Sequence, residues 1–338
     1  MAARASLAVG NPFAAVATSG AGALIPPNIY THLTATVKDG AEKITPTERL
    51  TLAMMKMQPG AIWIDSKEKL YGPVGSPTVQ GALAAASQCM PSPSLIVFVL
   101  YNLPNRDCAA MASAGEICCV YGADGRCNLL AQELGCKLGM WEYREQFVRP
   151  FARLLADAPK VPVAVILEPD SLPNLITNAG NPRCGAATRR AYTEGVAFAI
   201  SHIATVAPQT HLYVDAGHGG WLGWDRIAAS FLKLVCVELD VSPRLIRGFS
   251  TNIANYNLLG EPCPKDAFIE MMTAGRWCNQ VAINHTCCSA SNVRQLDLHS
   301  SCASHLATRF TSGSLQTRPK VLLGPIGACL RADVIEAR

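Results

Sequence analysis

Carboxylates recur at the ends of apolar runs in this 338-residue chain. Asp65 follows "AIWI", Asp107 comes shortly after "SLIVFVLY", Glu168 and Asp170 follow "VAVIL", and Asp215 follows "HLYV". One such residue alone reads as a turn or helix-cap former, because Asp side chains bond nearby backbone amides. Acids at the ends of four successive runs call for more. Convergent acids bind a hard metal cation, share protons in general acid–base work, or face a basic substrate. His218, in "DAGHGGW", would join Asp215 if a metal were held. Trp221 and Trp224 follow at once, in "HGGWLGW". Their flat apolar faces suit the C–H faces of a pyranose, while Asp, Asn and His take its hydroxyls. Acids with tryptophans point to glycoside hydrolysis. That reaction needs one carboxyl kept protonated for the leaving oxygen, and an activated water or nucleophile. A second carboxylate nearby raises the donor's pKa, because like charges resist sharing a site.

The elements that must carry these residues follow from the hydrophobic period. Strands are expected at 61–65, 94–101, 161–168 and 210–217, with another beginning at 244. Helices are expected at 77–88, 140–158, 186–206 and 225–239; in the second, Phe147, Phe151, Leu154 and Leu155 recur at helical spacing. Alternating strands and helices, with the strands apolar on both faces, imply a parallel sheet covered by helices. A doubly wound sheet and a closed β/α barrel both fit. No G-x-G-x-x-G run follows the first strand, which weakens the dinucleotide-binding version. The acidic strand ends favour the barrel, where all such ends open on one face.

Composition narrows the class. The chain is 49% hydrophobic and 16% charged, as core-rich globular proteins are. The net charge is +4 with Lys and Arg scattered, so no nucleic-acid partner is expected. No apolar run reaches the roughly 18 residues of a membrane helix, so no membrane partner is expected either. Among fourteen cysteines, Cys118, Cys119, Cys127 and Cys136 lie close together. An adjacent pair followed by two wide spacings is not the paired zinc-ligand pattern. A disulfide-stapled surface loop in a secreted or lumenal protein fits better. The N-terminal "MAARASLAVGNPFAAVATSG" has too short and interrupted an apolar core for a signal peptide. Either the true start lies upstream or the cysteines mislead.

Three longer runs carry a resemblance. "VLYNLPNRDCAAMASAGE" (99–116), "VILEPDSLPNLITN" (165–178) and "YVDAGHGGWLGW" (213–224) resemble glycoside hydrolase family 6, the inverting cellobiohydrolases and endoglucanases. "RLIRGFSTNIANYN" (244–257), "NPF" (11–13) and "IWID" (62–65) are similar to further runs of that family, so the resemblance covers roughly residues 10–260. It implies a distorted TIM-like β/α barrel, normally of seven strands, acting on β-1,4-glucan without a cofactor. By matching motif, Asp170 would be the proton donor and Asp107 would raise its pKa and steady the oxocarbenium-like transition state. Tyr101 would lie by the distorted sugar, and Ser113 would help hold the water chain. Asp65, Asp215, His218, Trp221 and Asn255 would line sugar subsites, with Trp63 and Trp224 as stacking platforms. Cys108 and Cys184 match a family disulfide. Glu168 would be a structural partner on the same side of the strand as Asp170. A secreted monomer is implied.

The resemblance fails after about residue 260. The family continues with two strands, the last carrying a run like "WVKPGGECDG" whose Asp is the usual candidate base, and neither is found here. The expected division is a catalytic domain at 1–264 and a divergent, poorly ordered tail at 265–338, left by a lost segment, a shifted frame or wrongly joined exons. The barrel would then be incomplete. Three readings stay open: an inverting β-1,4-glucanase, a non-catalytic glucan-binding relative, and a metal-dependent hydrolase using Asp215 and His218. Exo versus endo action is not legible.

Overall fold

The computed structural model describes residues 12–13, 45–55, 59–89, 92–223, 225–254 and 333–336. Six parallel strands form one sheet in chain order: β1 (Ala61–Ile64), β2 (Ile96–Leu100), β3 (Val163–Leu167), β4 (His211–Asp215), β5 (Gly248–Thr251) and β6 (Asp333–Glu336). This is the strand order of a parallel β/α barrel, and β1 and β6 are its two ends among the described residues. Residues 333–336 lie within the segment read as a divergent tail, and they add the strand beside β5.

The strand runs are almost wholly apolar because both faces are covered. The outer face packs under the helices: Ile62, Ile64, Phe98, Leu100, Val163, Val165, Leu167, Leu212 and Val214 join the large core cluster. The inner face makes a smaller cluster of Val99, Tyr101, Ala164, Ile166 and Tyr213, with Phe13 and Trp63 packed against it. The two sets alternate along each strand, as the period-2 geometry of a strand requires.

The expected helices form close to where the pattern put them. The first expected helix is Val79–Ser87, capped by the Thr78 hydroxyl, which accepts from the Gly81 amide at 3.1 Å. The second is continuous over Lys137–Trp141, a π-helical segment Glu142–Val148 and Arg149–Ala156. The third, Ala186–Val206, and the fourth, Asp225–Lys233 running on through Leu234–Glu238, close the outer layer. Among the described residues, Pro46–Met55, Ser171–Thr177 and Gly219–Leu222 escaped the apolar pattern. Pro46–Met55 is exposed along nearly its whole length, so it has little apolar stripe to detect. Its N-terminus nonetheless carries the capping-box signal "TPTE": the Thr45 amide donates to Glu48 Oε2 at 2.8 Å, and the Glu48 amide donates to the Thr45 hydroxyl at 3.3 Å. Ser171–Thr177 is only seven residues long.

Candidate active site

Strand register builds the site. Trp63, Val99, Ile166, Tyr213 and Gly248 follow one another across the sheet as register partners. Two residues further along each chain stand Asp65, Tyr101, Glu168, Asp215 and Ser250, with Asp215 and Ser250 themselves register partners. Asp65 and Glu168 thus follow the C-terminal ends of β1 and β3, Asp215 ends β4, and Asp107 and Asp170 lie in the loops beyond.

The chain leaves this row through strained backbone. Asn105 (φ 59°), Asp107 (φ 56°), Glu168 (φ 48°), Asp170 (φ 66°) and Asn252 (φ 60°) are all left-handed and none is glycine. Each such residue costs on the order of 1–3 kcal/mol, and it persists only where its surroundings over-determine it. The expectation that Glu168 and Asp170 share one side of a strand is corrected here. β3 ends at Leu167, both acids lie beyond it in left-handed turns, and their side chains go to different places.

Glu168 turns inward and is 1% exposed. Its Oε2 accepts the amides of Asn102 at 2.9 Å and Leu103 at 3.1 Å, and its Oε1 accepts the Tyr143 hydroxyl at 2.8 Å. Burial raises its pKa to about 8 against the lowering effect of these donors. Asp170 is half-buried. Burial, and then the charge of Asp107, raise its pKa to about 6. It is therefore a carboxyl that holds its proton in mildly acidic solution, as a general acid must.

Asp107 accepts the Ser113 amide on Oδ2 at 2.7 Å, so these two expected residues are brought together. That contact uses the backbone of Ser113 and leaves its exposed side chain open to solvent. Tyr101 stands beside them, edge-on to Trp63 with ring centroids 5.5 Å apart. Burial and the charges of Asp107 and Asp170 hold its phenol protonated well above the ordinary range. Arg106 joins this group although sequence reasoning passed it over. Its guanidinium lies 4.5 Å from the Tyr101 ring centroid and donates to the carbonyls of Tyr101, Asp65 (2.7 Å) and Ser113 (2.8 Å). Its only sequence signal is its place directly before Asp107 in "NRDC". Asp65 itself pairs with Lys69 at 2.6 Å, across a surface where both are about a third exposed.

Asp215 is more deeply placed than a sugar-lining residue, at 2% exposed. Its Oδ2 accepts the backbone amides of Asp170 at 2.9 Å and Gly217 at 3.1 Å. Gly217 makes this turn with φ 57°, a conformation glycine adopts freely. Burial, and then Asp170, raise the Asp215 pKa to about 8. His218 and Trp221 sit together after the turn, rings 5.9 Å apart, and the Trp221 indole donates to the Thr177 hydroxyl at 2.7 Å. Burial lowers the His218 pKa. Trp224 and Asn255, expected platform and sugar ligand, lie outside the described residues. Among the described residues no group of three or more His, Cys, Asp or Glu is placed to hold a metal ion.

Disulfides anchor the loop after β2. Cys108, next to Asp107, bonds Cys184 as the resemblance implied. The clustered cysteines pair among themselves, Cys118 with Cys127 and Cys119 with Cys136. Asn105 completes the anchorage: its carbonyl accepts the Tyr192 hydroxyl at 2.7 Å and its side-chain oxygen accepts the Cys119 amide at 2.9 Å.

Beyond the C-terminal ends of a parallel α/β sheet is where folds of this kind build their sites. The model of the glycosyl hydrolases family 6 matches residues 23–271, and the chain belongs to that family. It is 40% identical over 171 residues to a 1,4-β-D-glucan cellobiohydrolase, CEL6B, of Podospora anserina, a match covering 49% of this chain and 36% of that protein. Among solved structures it is similar to the catalytic domain of Cellulomonas fimi Cel6B, with a TM-score of 0.61 and 28% identity over 74% of this chain and 52% of that one. It is also similar to the CcCel6A catalytic domain complexed with p-nitrophenyl β-D-cellotrioside, with a TM-score of 0.59 and 30% identity over 78% of this chain and 68% of that one. The chain spans about a third of the length of the first of these relatives and about half of the second.

Proposed function

We propose that the chain hydrolyses β-1,4-glucosidic bonds in cellulose or a related β-glucan with inversion, Asp170 being the proton donor. One observation carries the reading: a half-buried Asp170 whose pKa is raised to about 6 by burial and by Asp107. Below that pH Asp170 is protonated and can give its proton to the leaving oxygen. Asp107 remains as the charge that favours the oxocarbenium-like transition state, and Ser113 beside it would help order the attacking water. Trp63, Tyr101, His218 and Trp221 would stack on and bond sugar rings, as would Trp224 and Asn255. The cellotrioside bound to CcCel6A and the cellobiohydrolase names of the relatives support a cello-oligosaccharide substrate. We further propose a secreted monomer whose catalytic unit is residues 1–264, consistent with the three disulfides among the described residues.

The test is hydrolysis of a soluble cello-oligosaccharide by the full chain beside Asp170→Asn, with the product anomer followed by NMR. Newly formed α-anomer, lost in the variant, supports the reading. Newly formed β-anomer contradicts inversion. A folded chain that binds the sugar without turnover leaves a glucan-binding relative.

A further inference from the structure

Glu168 takes no part in the chemistry proposed above, yet it is the most completely bonded acid of the rim. It grows from the β3 loop two residues before Asp170, and its partners belong to other elements. Asn102 and Leu103 open the loop after β2, directly behind Tyr101 and five residues or fewer before Asp107. Tyr143 comes from the long helix outside the sheet and is itself fully buried. Asn102 continues the chain of contacts outward: its side-chain amide donates to Glu116 Oε1 at 2.9 Å, which also accepts the Lys67 amide at 2.7 Å. Three loops are therefore tied together through one buried carboxyl and one more exposed one: those bearing Asp65, Asp107 and Asp170.

We propose that Glu168 is a positioning residue, a strut of fixed length that sets the separation between the Asp107 loop and the Asp170 loop. The Cys108–Cys184 disulfide ties the Asp107 loop to the chain well beyond Asp170 rather than to the Asp170 loop itself, and both loops hold left-handed backbone at the acids. Something must over-determine that geometry. Two amides of one loop converging on a single oxygen of the other fix distance and direction together. A surface contact could not do this, but a side chain that is 1% exposed has no solvent to slide into. Length, rather than charge, is the property the geometry uses: the oxygens need only reach the Asn102 and Leu103 amides and the Tyr143 hydroxyl.

The test is a length series in the full chain: Glu168→Gln keeps the length and an acceptor oxygen, whereas Glu168→Asp is shorter by one methylene, about 1.5 Å. The first readout is the titration of the Asp170 carboxyl, followed by carbon NMR. It needs no turnover, so its failure is distinguishable from failure of the proposed function, on which only the kinetic arm rests. Asp170 is coupled to Asp107 and Tyr101 from the neighbouring loop and to Asp215 from β4, while Glu168 precedes it in its own loop, and only the Glu168 position differs between variants. Glu168→Asp is expected to let the loops part, so that the Asp170 titration falls by about half a unit or more as the influence of Asp107 weakens. Glu168→Gln is expected to keep it. In kinetics the Asp variant loses about 10²-fold in kcat with KM little changed, the scale of a misplacement near 1 Å, and the Gln variant recovers most of that. Equal titrations in all three proteins, or a Gln variant as shifted as the Asp variant, would overturn the proposal.

Discussion

The two halves of the rim are built differently. On the β2–β3 side the loops are densely cross-linked: Glu168 accepts three donors, Arg106 donates to three carbonyls, and Cys108–Cys184 locks the loop beside Asp107, while Asn102 Oδ1 is buried without a protein partner among the described residues. On the β4–β5 side Asp215 Oδ1 and Ser250 Oγ are buried without a protein partner among the described residues, although they stand next to each other in register. The first half resembles a frame, and the second keeps hydrogen-bonding capacity in reserve. Buried polar groups left open in this way mark places where solvent or a ligand completes the bonding. A site of this kind fixes the spacing of its acids on one side and leaves hydrogen-bonding capacity open on the other.

Removing the frame should therefore cost most. Replacing Cys108 and Cys184 by Ser frees a loop of sequence separation 76, and the chain-entropy relation gives a loss of about 4.5 kcal/mol. The same change at Cys118 and Cys127, separation 9, should cost about 2.6 kcal/mol. Thermal unfolding of the two variants checks the order, and a larger loss at the shorter loop would break the comparison. Asp170→Asn should lower kcat/KM on a cello-oligosaccharide by about 10³-fold, the usual scale for losing a general acid. Trp63→Ala should raise KM by about tenfold with less effect on kcat, as the loss of one stacking face does.

The buried acids of both sides should show themselves through pH. Asp215 and Glu168 both carry pKa values raised to about 8, above the ordinary carboxylate range. Their folded forms hold protons that the unfolded chain releases. Their contribution to stability is thus full below the unfolded values and is lost as pH rises through about 8. Asp215→Asn should flatten that decline in urea-unfolding curves taken between mildly acid and mildly alkaline solution; an unchanged slope would contradict the assignment. The smallest effect belongs to the rim's outside, where Lys69→Ala should cost under about 1 kcal/mol because the Asp65 pair is solvent-screened.

Much of this was legible in the sequence, for identifiable reasons. Strands buried on both faces write themselves as apolar runs, so β1 to β4 and the acids at their ends were visible. Helix Ala186–Val206 was expected at the very residues where it forms. What the sequence hid is direction. Glu168 and Asp170 read as neighbours on one side until two left-handed residues turned one to the interior and left the other half-buried. Asp215 was visible as an acid at a strand end, but its burial and its backbone partners are set by the β4 turn, and no local pattern encodes them. Tyr143 lies among ordinary helix-core residues, and only the fold brings its hydroxyl to Glu168. The pairing of the four clustered cysteines was likewise one of three combinations until the loop was folded.

The central claim is that Asp170 delivers a proton to the leaving oxygen, and the most direct measurement varies that oxygen's need for one. Kinetics of Asp170→Asn should be compared on a plain cello-oligosaccharide and on an aryl cellotrioside whose phenol leaves without protonation. The account predicts a loss of about 10³-fold on the first and a far smaller loss on the second. An equal loss on both substrates would contradict it.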